Sequence, residues 1–333
     1  MGIVLSIVVP ALDEEATLEA LHARLAAVLD RLGAAGEIIL VDDGSTDGSF
    51  EVMRRLRARD PRVKAIRLSR NFGHQAALMA GMDAAAGEAI VLMDADLQHP
   101  PEVIPALVAK WREGYEVVHA IRRETEGTSA LKRLTSSLFY RLSSQIGEVR
   151  LEPGAADFKL VDRRVAAALG EMRERGRFLR GLVAWAGYRQ AGVPFAAPAR
   201  GGGASKYTWA RMAWLAVDGL LSFSRLPLRL TFILGVLAGL ASFLYTLAMV
   251  YVHLFTDRTV PGWTSIVALV LLLGGMQLIA LGVIGEYLGR IYDETKGRPL
   301  YLVRDRLGFE ETGEGERIHH GEHRDHRGGR EDG

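Results

Sequence analysis

Residues 87–103 read Gly-Glu-Ala-Ile-Val-Leu-Met-Asp-Ala-Asp-Leu-Gln-His-Pro-Pro-Glu-Val, and they leave this chain few folds to choose from. Residues 89–93 are apolar throughout, the pattern of a strand buried on both faces of a parallel sheet. The run stops at Asp94-Ala95-Asp96, where period-two alternation puts both carboxylates on one side of the extended chain. Open α/β sheets keep their ligands at the carboxyl ends of strands. Two carboxylates this close repel unless a cation lies between them, and hard oxygen donors suit Mg²⁺ or Mn²⁺. Gln98 offers an amide oxygen to the same ion, and Pro100-Pro101 stiffens the exit and starts a helix. Asp-x-Asp alone would equally suit a polar loop that caps a helix, so its neighbours decide.

Those neighbours repeat the pattern. Residues 3–9 read as a first strand ended by Pro10. Residues 14–32 carry helical apolar spacing (Leu18, Leu21, Leu25, Val28, Leu29, Leu32) and stop at Gly33 and Gly36. A second buried strand over 37–41 runs into Asp42-Asp43-Gly44-Ser45-Thr46-Asp47-Gly48-Ser49, a turn-rich stretch in which Gly44, Asp47 and Ser49 suit turn and cap positions. Helix to Arg59, strand 63–68, loop 69–73 and helix to Ala86 follow. After the strand over 89–93 come a helix over 101–113 and a strand over 116–121. Strands alternating with helices predict a mostly parallel, Rossmann-like α/β sheet covered on both faces.

Several chemistries drop out. The first strand–helix turn, Pro10-Ala11-Leu12-Asp13-Glu14-Glu15, has none of the glycines of a dinucleotide fingerprint, and no GxxxxGK[ST] occurs. A formal charge of +1 gives no global attraction to nucleic acid. Absence of Cys excludes disulfides and thiolate metal sites. The loops at strand ends instead carry acids: Asp13 and Glu15, Asp42 and Asp43, Asp94 and Asp96. Such groups can hydrogen-bond a ribose or base and hold a metal against a diphosphate. His74 reads as a helix-start residue, since no second His lies at metal spacing.

The motifs SIVVPALDEEATL, IILVDDGSTDGS, SRNFGHQAALMAG and DADLQHPPEVIP, with DFKLVDRRV, GGGASKYTWARM and GVIGEYLGRIYDETKGRPLY further on, resemble the polyprenyl-phosphate branch of the GT-A, family 2 glycosyltransferases. This branch includes bactoprenol glucosyltransferases, dolichyl-phosphate mannose synthase and undecaprenyl-phosphate aminoarabinose-type transferases. The resemblance covers residues 3 to about 303. Two departures are Leu12-Asp13, where the family more often has Tyr-Asn, and His99, where Asp or Asn is commoner. The resemblance implies a nucleotide-sugar site of Pro10, Asp13, Glu15, Asp42, Asp94 and Asp96. It implies a metal at Asp94, Asp96 and Gln98, and an acidic residue near the reacting centre, Asp157, as base or acceptor orienter beside Asp96. It also implies an acceptor-phosphate site of Arg122, Arg133, Arg200, Ser205 and Lys206. The partners would be a nucleoside-diphosphate sugar, UDP-glucose or similar, and an undecaprenyl-type phosphate, with Mg²⁺ or Mn²⁺ as cofactor.

Charge is absent from residues 230–252 and again from 259–285, and each run exceeds the roughly 20 residues that cross a hydrocarbon core. Arg225, Arg229, Arg290, Lys296 and Arg298 flank these runs on one side, against Asp257 and Arg258 in the loop between. That asymmetry predicts two transmembrane helices in an inner membrane, with the catalytic domain and both termini cytosolic. Residues 131–146 and 207–225 are amphipathic, basic or Trp-bearing, and predict interfacial helices. The expected organisation is a catalytic domain over 1–206, an interfacial helix over 207–226, a membrane pair over 227–292, a juxtamembrane segment over 293–309 and a charged tail over 310–333. A homo-oligomer is compatible with the glycines of the two spans. Two rivals are a processive polysaccharide synthase, whose Gln-x-x-Arg-Trp signature is missing here, and a catalytically silent membrane scaffold, against which the intact Asp-x-Asp argues.

Overall fold

The computed structural model describes residues 4–33, 35–122, 155–172, 174, 179–195, 226–255 and 262–309. Eight strands form one sheet: β1 (Leu5–Ala11), β2 (Gly36–Asp42), β3 (Val63–Leu68), β4 (Ala89–Leu92), β5 (Val117–Arg122), β6 (Ala155–Asp162), β7 (Gln190–Phe195) and β8 (Val303–Leu307). Their spatial order is β7-β5-β6-β4-β1-β2-β3-β8. Parallel pairing joins β3, β2, β1 and β4 in one direction, and β7 to β5. β6 lies antiparallel between β4 and β5, and β8 antiparallel on the outer edge of β3. The sheet is therefore mostly parallel, as expected, with two reversed strands that the apolar pattern did not announce.

Helices cover both faces. On one, α1 (Glu15–Leu32), α2 (Ser49–Arg59) and α4 (Ile104–Arg112) close over Ile7, Val9, Ile38, Leu40, Val91, Phe158 and Leu160. On the other, α3 (His74–Ala84), α5 (Arg163–Glu171) and α6 (Leu179–Trp185) pack on Val8, Ile39, Val41, Ile66, Leu92 and Val161. The predicted α1 residues Leu18, Leu21, Leu25, Val28 and Leu29 are its buried ones, and Gly33 closes the helix at φ +57°. Each fully buried Leu or Ile contributes roughly 1.5–3 kcal/mol, so these central strands hold the sheet edge rigid beneath the loops.

One boundary differs instructively. Pro10 does not end β1 but lies inside it, in register with Val41. Val8 O accepts the Met93 N–H, so Val8 and, two residues on, Pro10 turn their peptide groups toward β4. β4 has already ended at Leu92, and the missing proline N–H leaves no ladder bond unmade.

Two long helices follow, α7 (Leu226–Phe255) and α8 (Trp263–Thr295). Leu272–Thr295 is long and apolar enough to cross a membrane, with mean hydropathy 1.4 and none of it buried. Within α7, the stretch Thr231–Tyr245 is apolar but shorter than a span. Past α8 the chain turns at Gly297 (φ +58°) and returns to the sheet as β8. Leu302 O accepts the Ser69 N–H at 2.9 Å, and Tyr301 Oη donates to Asp83 Oδ2 at 2.7 Å. The apolar helix is thus tied to the loop that leads into α3. The predicted interfacial helices over 131–146 and 207–225 lie outside the described residues.

Candidate active site

The carboxyl ends of β1, β2, β3 and β4 open on one edge of the sheet, and the loops leaving them carry the predicted acids. Those acids fall into two groups. The first bonds to the protein's own backbone. Asp13, at φ +57°, accepts the N–H groups of Thr46 (2.7 Å) and Asp47 (3.3 Å) on Oδ1. Glu15 Oε2 accepts the Gly48 N–H at 3.0 Å, and Asp42 Oδ1 that of Ser45 at 2.8 Å. Asp42 is wholly buried, and Arg67 Nε stands 3.2 Å from its Oδ2, off the line of a hydrogen bond. The Asp42–Arg67 contact is therefore mainly Coulombic. Asp43 accepts from Phe72 N–H (2.8 Å) and Gly73 N–H (3.0 Å). Burial pushes the Asp43 carboxyl above the usual range, further than those two bonds lower it.

Between these acids, Gly44 sits at φ +76°, and a Cβ there would lie 2.6 Å from Asn71 N, so glycine alone fits. Asp47 accepts from the Ser49 N–H and hydroxyl at the start of α2, whose N-cap position is Gly48. The loops after β1, β2 and β3 are sewn together. The nucleotide-site expectation for Asp13, Glu15 and Asp42 thus meets carboxylates already turned on neighbouring loops.

The second group meets side chains and solvent. Leu92 pairs with Lys159 across β4 and β6, so continuing that antiparallel register two residues brings Asp157 opposite Asp94. Asp94 Oδ1 receives His74 Nε2 at 2.7 Å. Its backbone N–H donates to His99 Nδ1 at 3.0 Å, which makes that nitrogen an acceptor. The 3.6 Å approach of His99 Nδ1 to Asp94 Oδ2 is accordingly no ion pair. His99 is buried and stacks on Phe158, with 5.2 Å between ring centroids. Burial pushes its imidazole below the usual range, against the pull of Asp94, Asp96 and Asp157.

Asp96 is exposed and accepts only the Gln98 N–H among the described contacts, at 3.0 Å on Oδ1. Leu97 between them holds φ +60°, a left-handed conformation that costs an ordinary residue roughly 1–2 kcal/mol. Its side chain packs on the core, which anchors the turn that keeps Asp96 outward.

Asp157 is clamped by Arg180, with Nε on Oδ1 and Nη2 on Oδ2, both at 2.9 Å. Burial would raise this carboxyl, but the Arg180 bond and charge, with Lys159 and His74 nearby, bring it down to about 2. Lys159 is fully buried, its Nζ 3.9 Å from Asp157 Oδ1 and without a hydrogen-bond partner among the described residues. Burial lowers its ammonium to about 8 despite the attraction of Asp157. His74 resists the downward pull of burial, because the bond and charge of Asp94 carry its imidazole above the usual range. His74 starts α3, as its sequence position predicts. Its contact with Asp94, and the presence of Lys159 and Arg180, follow from strand and helix pairing that no local spacing announces. Arg122 ends β5 and is exposed. Arg133, Arg200, Ser205 and Lys206 lie outside the described residues.

Among the described residues no three His, Asp or Glu side chains converge as a closed metal cage requires. Asp94, Asp96 and Gln98 offer hard oxygens at a solvent-facing edge. That donor set fits an ion of the Mg²⁺ or Mn²⁺ kind, which takes its remaining ligands from water and substrate phosphate.

Comparison with known proteins gives the family. Residues 6–169 match the model of Glycosyl transferase family 2. The chain is 45% identical over 305 residues to the uncharacterized glycosyltransferase YkcC of Bacillus subtilis, covering 92% of this chain and 94% of that protein. It is 36% identical over 302 residues to the bactoprenol glucosyl transferase of Shigella phage SfX, covering 91% and 99%. A crystal structure of glucosyl-3-phosphoglycerate synthase from Mycobacterium tuberculosis superposes at a TM-score of 0.45 with 23% identity, over 66% of this chain and 79% of that one. Agreement that loose carries no residue across.

Proposed function

This chain belongs to glycosyltransferase family 2, and from that premise we propose that it transfers a sugar, favoured as glucose, from a UDP-sugar to a polyprenyl phosphate at the cytosolic face of a membrane. The acceptor class rests on relatives named bactoprenol glucosyl transferase, matched over nearly their whole length. The observation that carries the chemistry is the contrast between an exposed Asp94–Asp96 edge and an Asp157 saturated by Arg180.

A phosphate monoester has its second pKa near ~6, so the acceptor is a nucleophilic anion at neutral pH and asks for no strong base. Asp157, with a pKa of about 2, suits that demand as an orienter of the acceptor through Arg180, and not as a proton acceptor. Asp94, Asp96 and Gln98 would hold a divalent ion, which when bound offsets charge on the leaving diphosphate. Direct displacement by the phosphate inverts the anomeric centre. Arg122, with Arg133, Arg200, Ser205 and Lys206, would supply positive charge and donors for the lipid phosphate.

The charge-free runs over 230–252 and 259–285, with Lys and Arg concentrated at Arg225, Arg229, Arg290, Lys296 and Arg298, support two spans and cytosolic termini. Cysteines placed at Thr256 and Thr312 test this, since the chain has none of its own. An impermeant reagent should label the first from outside and spare the second; the reverse overturns the topology. The activity itself is tested by offering purified protein a panel of nucleotide sugars with a C55 lipid phosphate and weighing the product. A hexosyl-phospholipid formed with UDP-glucose supports the reading. Transfer only to a growing glycan, or none with any donor, contradicts it.

A further inference from the structure

His74 is the tightest side-chain neighbour of the Asp-x-Asp edge, and its ring is itself held in place. Its Nδ1 stands 3.4 Å from Gln75 Nε2. The Gln75 amide is oriented from its other end, where Oε1 accepts the Leu179 N–H at 3.3 Å. With the amide nitrogen facing Nδ1, the imidazole carries its proton on Nε2 and donates it to Asp94 Oδ1 at 2.7 Å. The backbone is fixed as well, because Asp43 Oδ2 accepts the N–H of Gly73 immediately before the helix.

Asp94 is gripped from two directions. Its N–H is locked to His99, a buried ring stacked on Phe158, and its Oδ1 is taken by His74. Only Oδ2 of a partly exposed carboxylate is left to turn outward, beside a His99 nitrogen whose lone pair is already engaged. Carboxylates and imidazoles that ligate metals are usually steered by such an outer partner, whose loss typically costs ~10–100-fold in affinity.

We propose that His74, oriented by Gln75 and Leu179, is the positioning residue that presents Asp94 Oδ2 to a divalent cation. The chain of contacts has a second end. Leu179 precedes Arg180, which clamps Asp157, so the first turn of α3 joins the metal half of the site to the acceptor half. This inference rests on the metal-dependent transferase reading above.

The test measures Mn²⁺ binding to the full-length protein in detergent with saturating UDP, by the electron paramagnetic resonance signal of free Mn²⁺. His74→Ala should weaken Mn²⁺ about tenfold while leaving the metal-free melting temperature near that of the wild type. His74→Gln, whose amide Nε2 can donate from a similar reach, should recover most of the loss, and Gln75→Ala should lose part of it. Unchanged or tighter Mn²⁺ binding in His74→Ala overturns the proposal, as does a His74→Gln variant as weak as alanine. Asp94→Asn separates the two levels. If it abolishes UDP-dependent Mn²⁺ binding while His74→Ala leaves the affinity unchanged, only the positioning role fails. If Asp94→Asn binds Mn²⁺ normally, the metal site itself fails and the positioning role with it.

Discussion

Asp43 and Asp94 follow β2 and β4, which flank β1 on the same sheet edge, yet they live in different surroundings. Asp43 is almost wholly buried, and both its oxygens are taken by backbone N–H groups of the loop after β3. Asp94 is partly exposed and meets one exchangeable side-chain donor. Asp13 and Glu15, though exposed, likewise hold backbone N–H groups of the loop after β2, and Asp42 is buried like Asp43; Asp96 is exposed and accepts, among the described contacts, only the N–H of Gln98, two residues on. A carboxylate bonded to backbone donors builds the rim, because releasing it would orphan peptide groups. A carboxylate that faces solvent and meets a side-chain donor is available to chemistry. Residue type alone does not separate the two.

The largest effect that would break this division is on turnover. Asp96→Asn should lower kcat by about a thousandfold, since several kcal/mol of charge stabilisation at the leaving group go with the ion, while the melting temperature stays close to the wild type. Wild-type activity that survives EDTA in full would place the charge compensation elsewhere.

On the rim the expectation reverses. Asp43→Asn keeps the shape but sets an amide N–H₂ against a backbone N–H that needs an acceptor. It should cost about 1–3 kcal/mol of stability, read as a lowered melting temperature, with nucleotide affinity changed less than by Asp96→Asn. A rim variant that melts normally but loses nucleotide would move Asp43 into the binding site.

Lys159 sharpens the comparison from the interior. Its ammonium is buried without a hydrogen bond among the described residues, and Asp157 would keep its two bonds to Arg180 if the lysine were removed. Lys159→Met should therefore stabilise the protein by about 1–2 kcal/mol. A lysine held at about 8 in the fold, below its ordinary value, resists protonation that the unfolded chain accepts. Its burial cost is complete below pH 8 and fades as pH rises toward the unfolded value. The gain from methionine should shrink over the same window, and a gain that persists above it would assign the effect to packing.

Much of this was legible before any coordinates. Strands β1, β2 and β4 are near-continuous apolar runs, and each stops where acids or turn residues begin, so the sheet edge and its Asp-x-Asp could be read directly. β6 could not. Asp157 and Lys159 alternate with Phe158 and Leu160, and the pattern suggests a half-exposed strand, whereas α3 and α6 cover the charged face. β8, Val-Arg-Asp-Arg-Leu, is short and charged, and only its return past the apolar helix to the edge of β3 makes it a strand. The division among the acids was hidden for a related reason: the backbone partners of Asp13, Glu15 and Asp43 lie 29 to 34 residues away, and local spacing does not specify them.

The smallest effect is an expected absence. Asp157, at about 2 against an ordinary value near 3.8, contributes stability that is present above the unfolded value and lost only as pH falls toward 2. It stays ionised throughout pH 5 to 9, so the kcat/KM profile should show no acid limb that Asp157→Asn removes. Such a limb would restore Asp157 as a general base.

The division between rim and reactive acids is tested most directly by titrating UDP calorimetrically into wild type, Asp96→Asn and Asp43→Asn, each with Mn²⁺ and with EDTA. The account predicts that Mn²⁺ strengthens UDP binding in the wild type and in Asp43→Asn but has no effect in Asp96→Asn. Binding indifferent to Mn²⁺ in the wild type, or strengthened by it equally in Asp96→Asn, would contradict it.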